Sequence, residues 1–136
     1  MKAKVAFVVQ RYGLEVNGGA ELECRWIAEL MKDEWDVEVL TTCALDYMTW
    51  ADHYPSGDDL INDVLVRRFS VAQPRDVREF NRLSEDIFQK PHSRADEINW
   101  MKAQGPDSPV LTGYIKTHRH RFDAFIFFTY LYATTF

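Results

Sequence analysis

Val5-Ala6-Phe7-Val8-Val9-Gln10-Arg11-Tyr12-Gly13, running straight into Leu14-Glu15-Val16-Asn17-Gly18-Gly19-Ala20-Glu21, sets the architecture of this chain. Val5 to Val9 is an unbroken apolar run with lysines before it, the pattern of a parallel strand covered on both faces. A glycine-bearing loop follows. From Ala20 to Lys32 the residues Leu22, Trp26, Ile27, Leu30 and Met31 recur at intervals of three and four, the helical period, and are expected to form the inward stripe. Strand, glycine loop and helix together open a βαβ unit.

The same logic carries outward along the chain. Asp36 to Thr42 alternates and is rich in β-branched residues, so a second strand follows the helix. A right-handed crossover pairs it parallel to the first. Ala44 to Asp59 has no period and holds Tyr47, Trp50, His53 and Tyr54, an aromatic-rich loop. Ile61-Asn62-Asp63-Val64 reads as a tight turn between two extended pieces, and Val64 to Val71 supplies a third strand. Val77, Phe80, Leu83, Ile87 and Phe88 keep helical spacing until Pro91 closes that helix. Ser93 is placed to cap another, in which Ile98 and Met101 are expected to face inward. Ser108-Pro109 starts a last helix, whose carboxyl end gathers Arg119, His120 and Arg121. Asp123 to Phe128 is the most apolar run and predicts a fourth, deeply buried strand.

These elements make an α/β fold: a Rossmann-like, three-layer, open parallel sheet with strand order 3-2-1-4. That order leaves the run 123–128 at an edge, where bare backbone groups invite pairing with another chain. The expectation is a chain of 136 residues that forms one incomplete amino-terminal domain of a longer protein, with self-association through 123–128 if it stands alone.

Composition narrows the function. One core is all that 136 residues at 46% apolar content can build. A net charge of −5 excludes an electrostatic grip on nucleic acid, and His118-Arg119-His120-Arg121 is too short to reverse it. Cys24 and Cys43 lack zinc or redox spacing and read as reduced structural thiols. His118 and His120 have no carboxylate or cysteine at ligand spacing, so no metal is expected, and they read as solvated at a helix end. The first apolar run is far shorter than a membrane span or a secretory core and reads as the opening strand of a cytoplasmic protein.

The turn at Asn17-Gly18-Gly19-Ala20 offers unpartnered helix amides and close backbone approach, an anion site in kind. It is neither a Walker loop nor a dinucleotide fingerprint, because the Lys-Ser/Thr pair and the G-x-G-x-x-G spacing are missing. A tight turn with no ligand is an equal reading of the spacing alone. Asp46, Tyr47 and Trp50, after strand two, combine a carboxylate with aromatic faces, which suits a sugar. Packing of the two rings on the sheet is the competing reading. Glu21 and Glu23 read as partners of the helix dipole.

Gln10-Arg11-Tyr12-Gly13, Asn17-Gly18-Gly19-Ala20-Glu21, Val37 to Ala44, Phe80-Asn81-Arg82-Leu83-Ser84 and Phe127 to Tyr132 resemble the amino-terminal domain of family 4 (group 1) retaining glycosyltransferases of the GT-B fold. The resemblance implies transfer of a sugar from a nucleotide-sugar donor to a hydroxyl acceptor, whether saccharide, lipid or other, with retention. The donor is a substrate, so no cofactor or obligatory metal is implied. The donor-gripping lobe would be a carboxyl-terminal domain absent from this chain. By the resemblance, Gly18 and Gly19, in the loop Asn17-Gly18-Gly19-Ala20, would lie by the donor diphosphate and the acceptor; Asp46, Tyr47, Trp50 and Thr129 are the acceptor-side candidates. Many members carry a histidine after the fourth strand; this sequence has Thr129-Tyr130-Leu131-Tyr132 there, which leaves the catalytic role unassigned and Tyr130 as its candidate. Bulky residues at Gly18 or Gly19 are expected to reduce turnover in the intact enzyme. Such a protein is cytoplasmic, free or peripheral to the inner face of the membrane. A non-catalytic Rossmann-like or flavodoxin-like module for a small anion is the alternative.

Overall fold

β1 (Lys4–Val8) runs up the middle of the sheet, hydrogen-bonded in parallel to β2 (Asp36–Thr42) on one side and to β5 (Ala124–Phe127) on the other. Every residue from Val5 to Val9 is buried, as a run without alternation requires when both faces are covered. The computed structural model describes residues 1–129. Beyond β2 lie β4 (Val64–Phe69), parallel, and β3 (Gly57–Ile61), antiparallel, giving the order β3-β4-β2-β1-β5. The expected order of the four parallel strands holds, and the extended piece before Asn62 adds an antiparallel edge. Asn62 and Asp63 both take positive φ (49° and 64°), the geometry of a two-residue hairpin turn that matches strand twist.

Helices cover both faces. α1 (Gly19–Met31) packs Cys24 and Ala28 onto Val5, Phe7, Val9, Val37, Val39, Val64 and Val66. α4 (Pro109–His118) packs Leu111 onto Ala6, Val8 and Leu40. Alternation along the strands divides these two sets. The phase of α1 differs from the expected stripe: Ile27 and Met31 pack on the core, whereas Trp26 and Leu30 are 56% and 75% exposed. Small residues occupy the line of closest approach between helix and sheet, which puts the large ones outside.

Two further expectations are corrected. β5 is a half-exposed edge strand rather than a deeply buried one, with Phe127 51% exposed, since among the described residues only β1 pairs with it. α2 (Val77–Gln89) and α3 (Arg94–Gln104) hold no buried residue, and Ile98 faces solvent instead of the core. They form a hairpin packed on itself through Phe80 stacked on Trp100 and a bond from the Trp100 indole to Ser84 Oγ at 2.8 Å. The caps behave as the sequence implies: Ser93 and Asp96 close a capping box at α3, and Ser108 accepts from the Leu111 amide ahead of Pro109.

Beneath α4's face, the carboxylate of Glu38 is sealed at 1% exposure between Lys4 Nζ (3.0 Å), Arg67 Nε (2.8 Å) and Arg121 Nη2 (3.7 Å). This cluster ties β1, β2, β4 and the turn before β5 together. Burial alone would push the Glu38 carboxyl up, but the bonds from Arg67 and Lys4 outweigh it and hold the group below its ordinary value.

Candidate functional site

The chain leaves β1 toward β2 and β4 on one side, then returns to place β5 on the other. The carboxyl ends of β1 and β5 therefore flank the point where the strand order reverses, the usual crevice of open α/β sheets. A cavity of about 340 Å³ opens there, lined by Gln10, Arg11, Gly18, Ala20, Glu21, Tyr47, Trp50 and Thr129. Four separate segments contribute: the end of β1, the start of α1, the loop after β2 and the residue following Phe128.

Arg11 organises the floor. Its Nε donates to Glu21 Oε1 at 2.9 Å and its Nη1 to the Leu45 carbonyl at 2.9 Å. The guanidinium lies 5.8 Å from the Tyr47 ring centroid and 6.0 Å from that of Trp50, within range of favourable ring contacts. With side-chain exposures of 13% and 6%, the Arg11–Glu21 pair is nearly dry. A dry pair adds little net stability yet is costly to break, so its value here is to fix geometry. Gly18 caps α1 with no side-chain acceptor, which leaves the first-turn amides to be satisfied by water or a ligand. Gln10 is 3% exposed, and its Oε1 is buried without a hydrogen-bond partner.

Two of the described residues outside the hairpin turn carry backbone strain, and both line this cavity. Trp50 and Thr129 hold φ of 57° and 73°, values that cost energy for residues with a Cβ and that cluster at sites requiring a fixed side-chain aim. Trp50 is 1% exposed and donates from Nε1 to the Gln104 carbonyl at 2.8 Å. It is a packed core ring that doubles as the partition between this cavity and a groove of about 440 Å³ at the foot of the α2–α3 hairpin, bordered by Arg75, Asp76, Glu79, Asn99 and Lys102. Tyr47 is half-exposed and meets Trp50 edge-on at 5.8 Å.

No protein-family profile, curated protein or solved structure matches this chain.

The cavity gathers Gly18, Ala20, Tyr47, Trp50 and Thr129 from the candidate set; Asn17, Gly19 and Asp46 are not among its lining residues. Asp46 accepts from the Met48 and Thr49 amides and the Thr49 hydroxyl (2.9, 3.2 and 2.6 Å), so its carboxylate shapes the loop that presents Tyr47 and Trp50. Tyr130 lies outside the described residues. Glu21 turns inward to Arg11 rather than serving only the helix dipole. His118 is half-buried, stacked on Tyr114 with centroids 4.1 Å apart. Among the described residues no group of three or more His, Cys, Asp or Glu is placed to hold a metal ion, and no helix is long and apolar enough to cross a membrane.

The residues missed by sequence reading are Gln10, Arg11 and Glu21. Their signal was present: two polar side chains directly after a buried strand, at its carboxyl end, and an acid in the first turn of the next helix. What the lining supplies is donors, aromatic faces and one internally neutralised carboxylate. Such donors and ring faces are chemically suited to an anionic, ring-bearing ligand.

Proposed function

We propose that this chain is the acceptor-side lobe of a glycosyltransferase, which moves a sugar from a nucleotide-sugar donor to a hydroxyl acceptor with retained configuration. The observation that carries the reading is the cavity at the strand-order reversal, where uncapped α1 amides, Arg11 and the Tyr47–Trp50 pair converge. In this mechanism the amides and the Arg11 guanidinium meet charge as it develops on the departing diphosphate, an electrostatic contribution made by pre-aimed dipoles. The groove across Trp50, bordered by charged side chains of both signs and by the Asn99 amide, receives the hydroxyl acceptor. A carboxyl-terminal lobe grips the nucleotide, and closure of the lobes excludes water and completes the site. The family resemblance implies no obligatory metal.

Magnitudes fix what one lobe achieves. A helix amino terminus gives an anion at most ~2 kcal/mol, and each charged hydrogen bond contributes ~1.5 to 3 kcal/mol before ordering costs. Millimolar affinity already needs about 4 kcal/mol net. Calorimetric titration of the 136-residue chain with nucleoside diphosphate sugars is therefore expected to give millimolar binding or weaker. Micromolar binding would instead favour the self-sufficient small-anion module. A donor-hydrolysis screen on a chain extended through a second lobe tests the transfer itself, and silence across nucleotide sugars would remove it.

A further inference from the structure

A second cavity, of about 360 Å³ and sharing no residue with the first, lies between the loop after β1 and the β3–β4 hairpin. Its lining is Leu14, Glu15, Tyr54, Asp59, Leu60, Ile61, Asn62 and Arg68. Arg68 is the anomaly. It is 3% exposed, with Nε and Nη1 buried and without a hydrogen-bond partner. Other inward arginines have acceptors: Glu21 for Arg11, Glu29 for Arg25, Glu38 and Asp58 for Arg67. Among the described residues no carboxylate lies within ion-pair distance of Arg68. Instead its guanidinium stacks 3.8 Å from the Tyr54 ring centroid.

An unpaired buried cation is costly, and a sequence keeps one where something else completes it. Glu15 stands near but is engaged, accepting from the Tyr54 hydroxyl at 2.9 Å. Gly13 permits that contact, because a Cβ there would come within 2.8 Å of the same hydroxyl. Burial pushes the Arg68 guanidinium down from its ordinary value and the Tyr54 phenol up to about 12, helped in the second case by Glu15.

We infer that this cavity is a second ligand site, in which Arg68 receives the carboxylate of a small organic acid. The planar guanidinium fork matches a carboxylate, and Tyr54 holds its plane fixed. Glu15 and Asp59 flank the opening, so a dianion such as phosphate meets about twice the repulsion that a monoanion meets. Leu14 and Leu60, 56% and 65% exposed at the rim, suit the carbon skeleton behind the head group.

The test is an NMR titration of the arginine Nε–H signals of the whole chain with acetate, at constant ionic strength, against chloride and inorganic phosphate. The Arg68 signal is expected to shift saturably with acetate in the millimolar range, more weakly with phosphate and not with chloride. Glu15→Gln and Asp59→Asn, each removing a repelling charge, are expected to tighten acetate binding by about threefold. Arg68→Met is expected to abolish the response while raising the melting temperature of the ligand-free protein, since it deletes a buried charge that has no direct ion-pair partner. No saturable shift up to about 100 mM acetate, an equal shift with chloride, or indifference to both charge-removing variants overturns the site. Binding of nucleotide sugars at the first cavity is untouched by any of these outcomes, so the two readings fail separately.

Discussion

Glu38→Ala is expected to lower the free energy of unfolding by about 3 kcal/mol at neutral pH, measured by chemical denaturation. The cause is not the loss of a favourable contact alone. Removing the carboxylate leaves Lys4, Arg67 and Arg121 crowded together, with Asp36 and Asp58 the other carboxylate partners of the first two among the described residues. The cationic heads are partly exposed, at 22–36%, so solvent screens the residual repulsion and the cost stays at the lower end of the range for broken buried pairs. The sign of the pH dependence follows from the depressed carboxyl. Its contribution is complete above the unfolded-state value of about 4.3 and is lost as the pH falls through the lower folded-state value. The gap between wild type and variant should therefore close below about pH 4. A gap under about 1 kcal/mol at pH 7, or one that is flat into acid, would show that the cluster is surface decoration.

Glu38 also marks where the sequence stops being readable. Alternation in Asp36-Val37-Glu38-Val39 suggests a strand with one wet face, yet the residue lies inside because Lys4 and Arg67 arrive from neighbouring strands. The parallel strands and their order were legible because apolar runs such as Val5–Val9 alternate with helical periods, and right-handed crossovers then restrict how the strands can be arranged. The phase of α1 was not: a period gives the spacing of a stripe, and only packing distance selects Cys24 and Ala28 over Trp26 and Leu30. α2 reads as an amphipathic helix and α3 as a mostly polar one with few apolar residues, and sequence cannot say that each is the other's partner. At the site, the glycine turn and the two aromatics were visible as local signals. The pairing of Arg11 with Glu21 was hidden because it depends on how loop 12–18 folds back over the end of β1.

That pairing separates the two glycines, and here the largest functional effect is expected. Gly18 has ordinary extended backbone, φ −62° and ψ 146°, so its constraint is space rather than conformation. A Cβ at 18 would overlap the Glu21 carboxylate and stand 2.9 Å from Arg11 Nη2, whereas a Cβ at 19 meets nothing within 4 Å. With valine at 18, the Glu21 side chain can rotate away, but it then abandons Arg11 and carries an uncompensated negative charge to the mouth of the cavity. On the transferase reading, that charge sits where the diphosphate must leave. In an enzyme with both lobes, Gly18→Val is expected to lower kcat/KM by about 100-fold, comparable with losing one oxyanion donor. Gly19→Val should stay within about threefold, since a side chain at the first helical position points into open space. Gly18→Ala supplies the control for folding: it should cost about 1 to 2 kcal/mol through the weakened pair, too little to unfold the domain. Equal losses at 18 and 19 would mean that the backbone amides, not the Arg11–Glu21 pair, set the response. Equal indifference would detach the turn from the chemistry and leave the cavity without its anion-binding role.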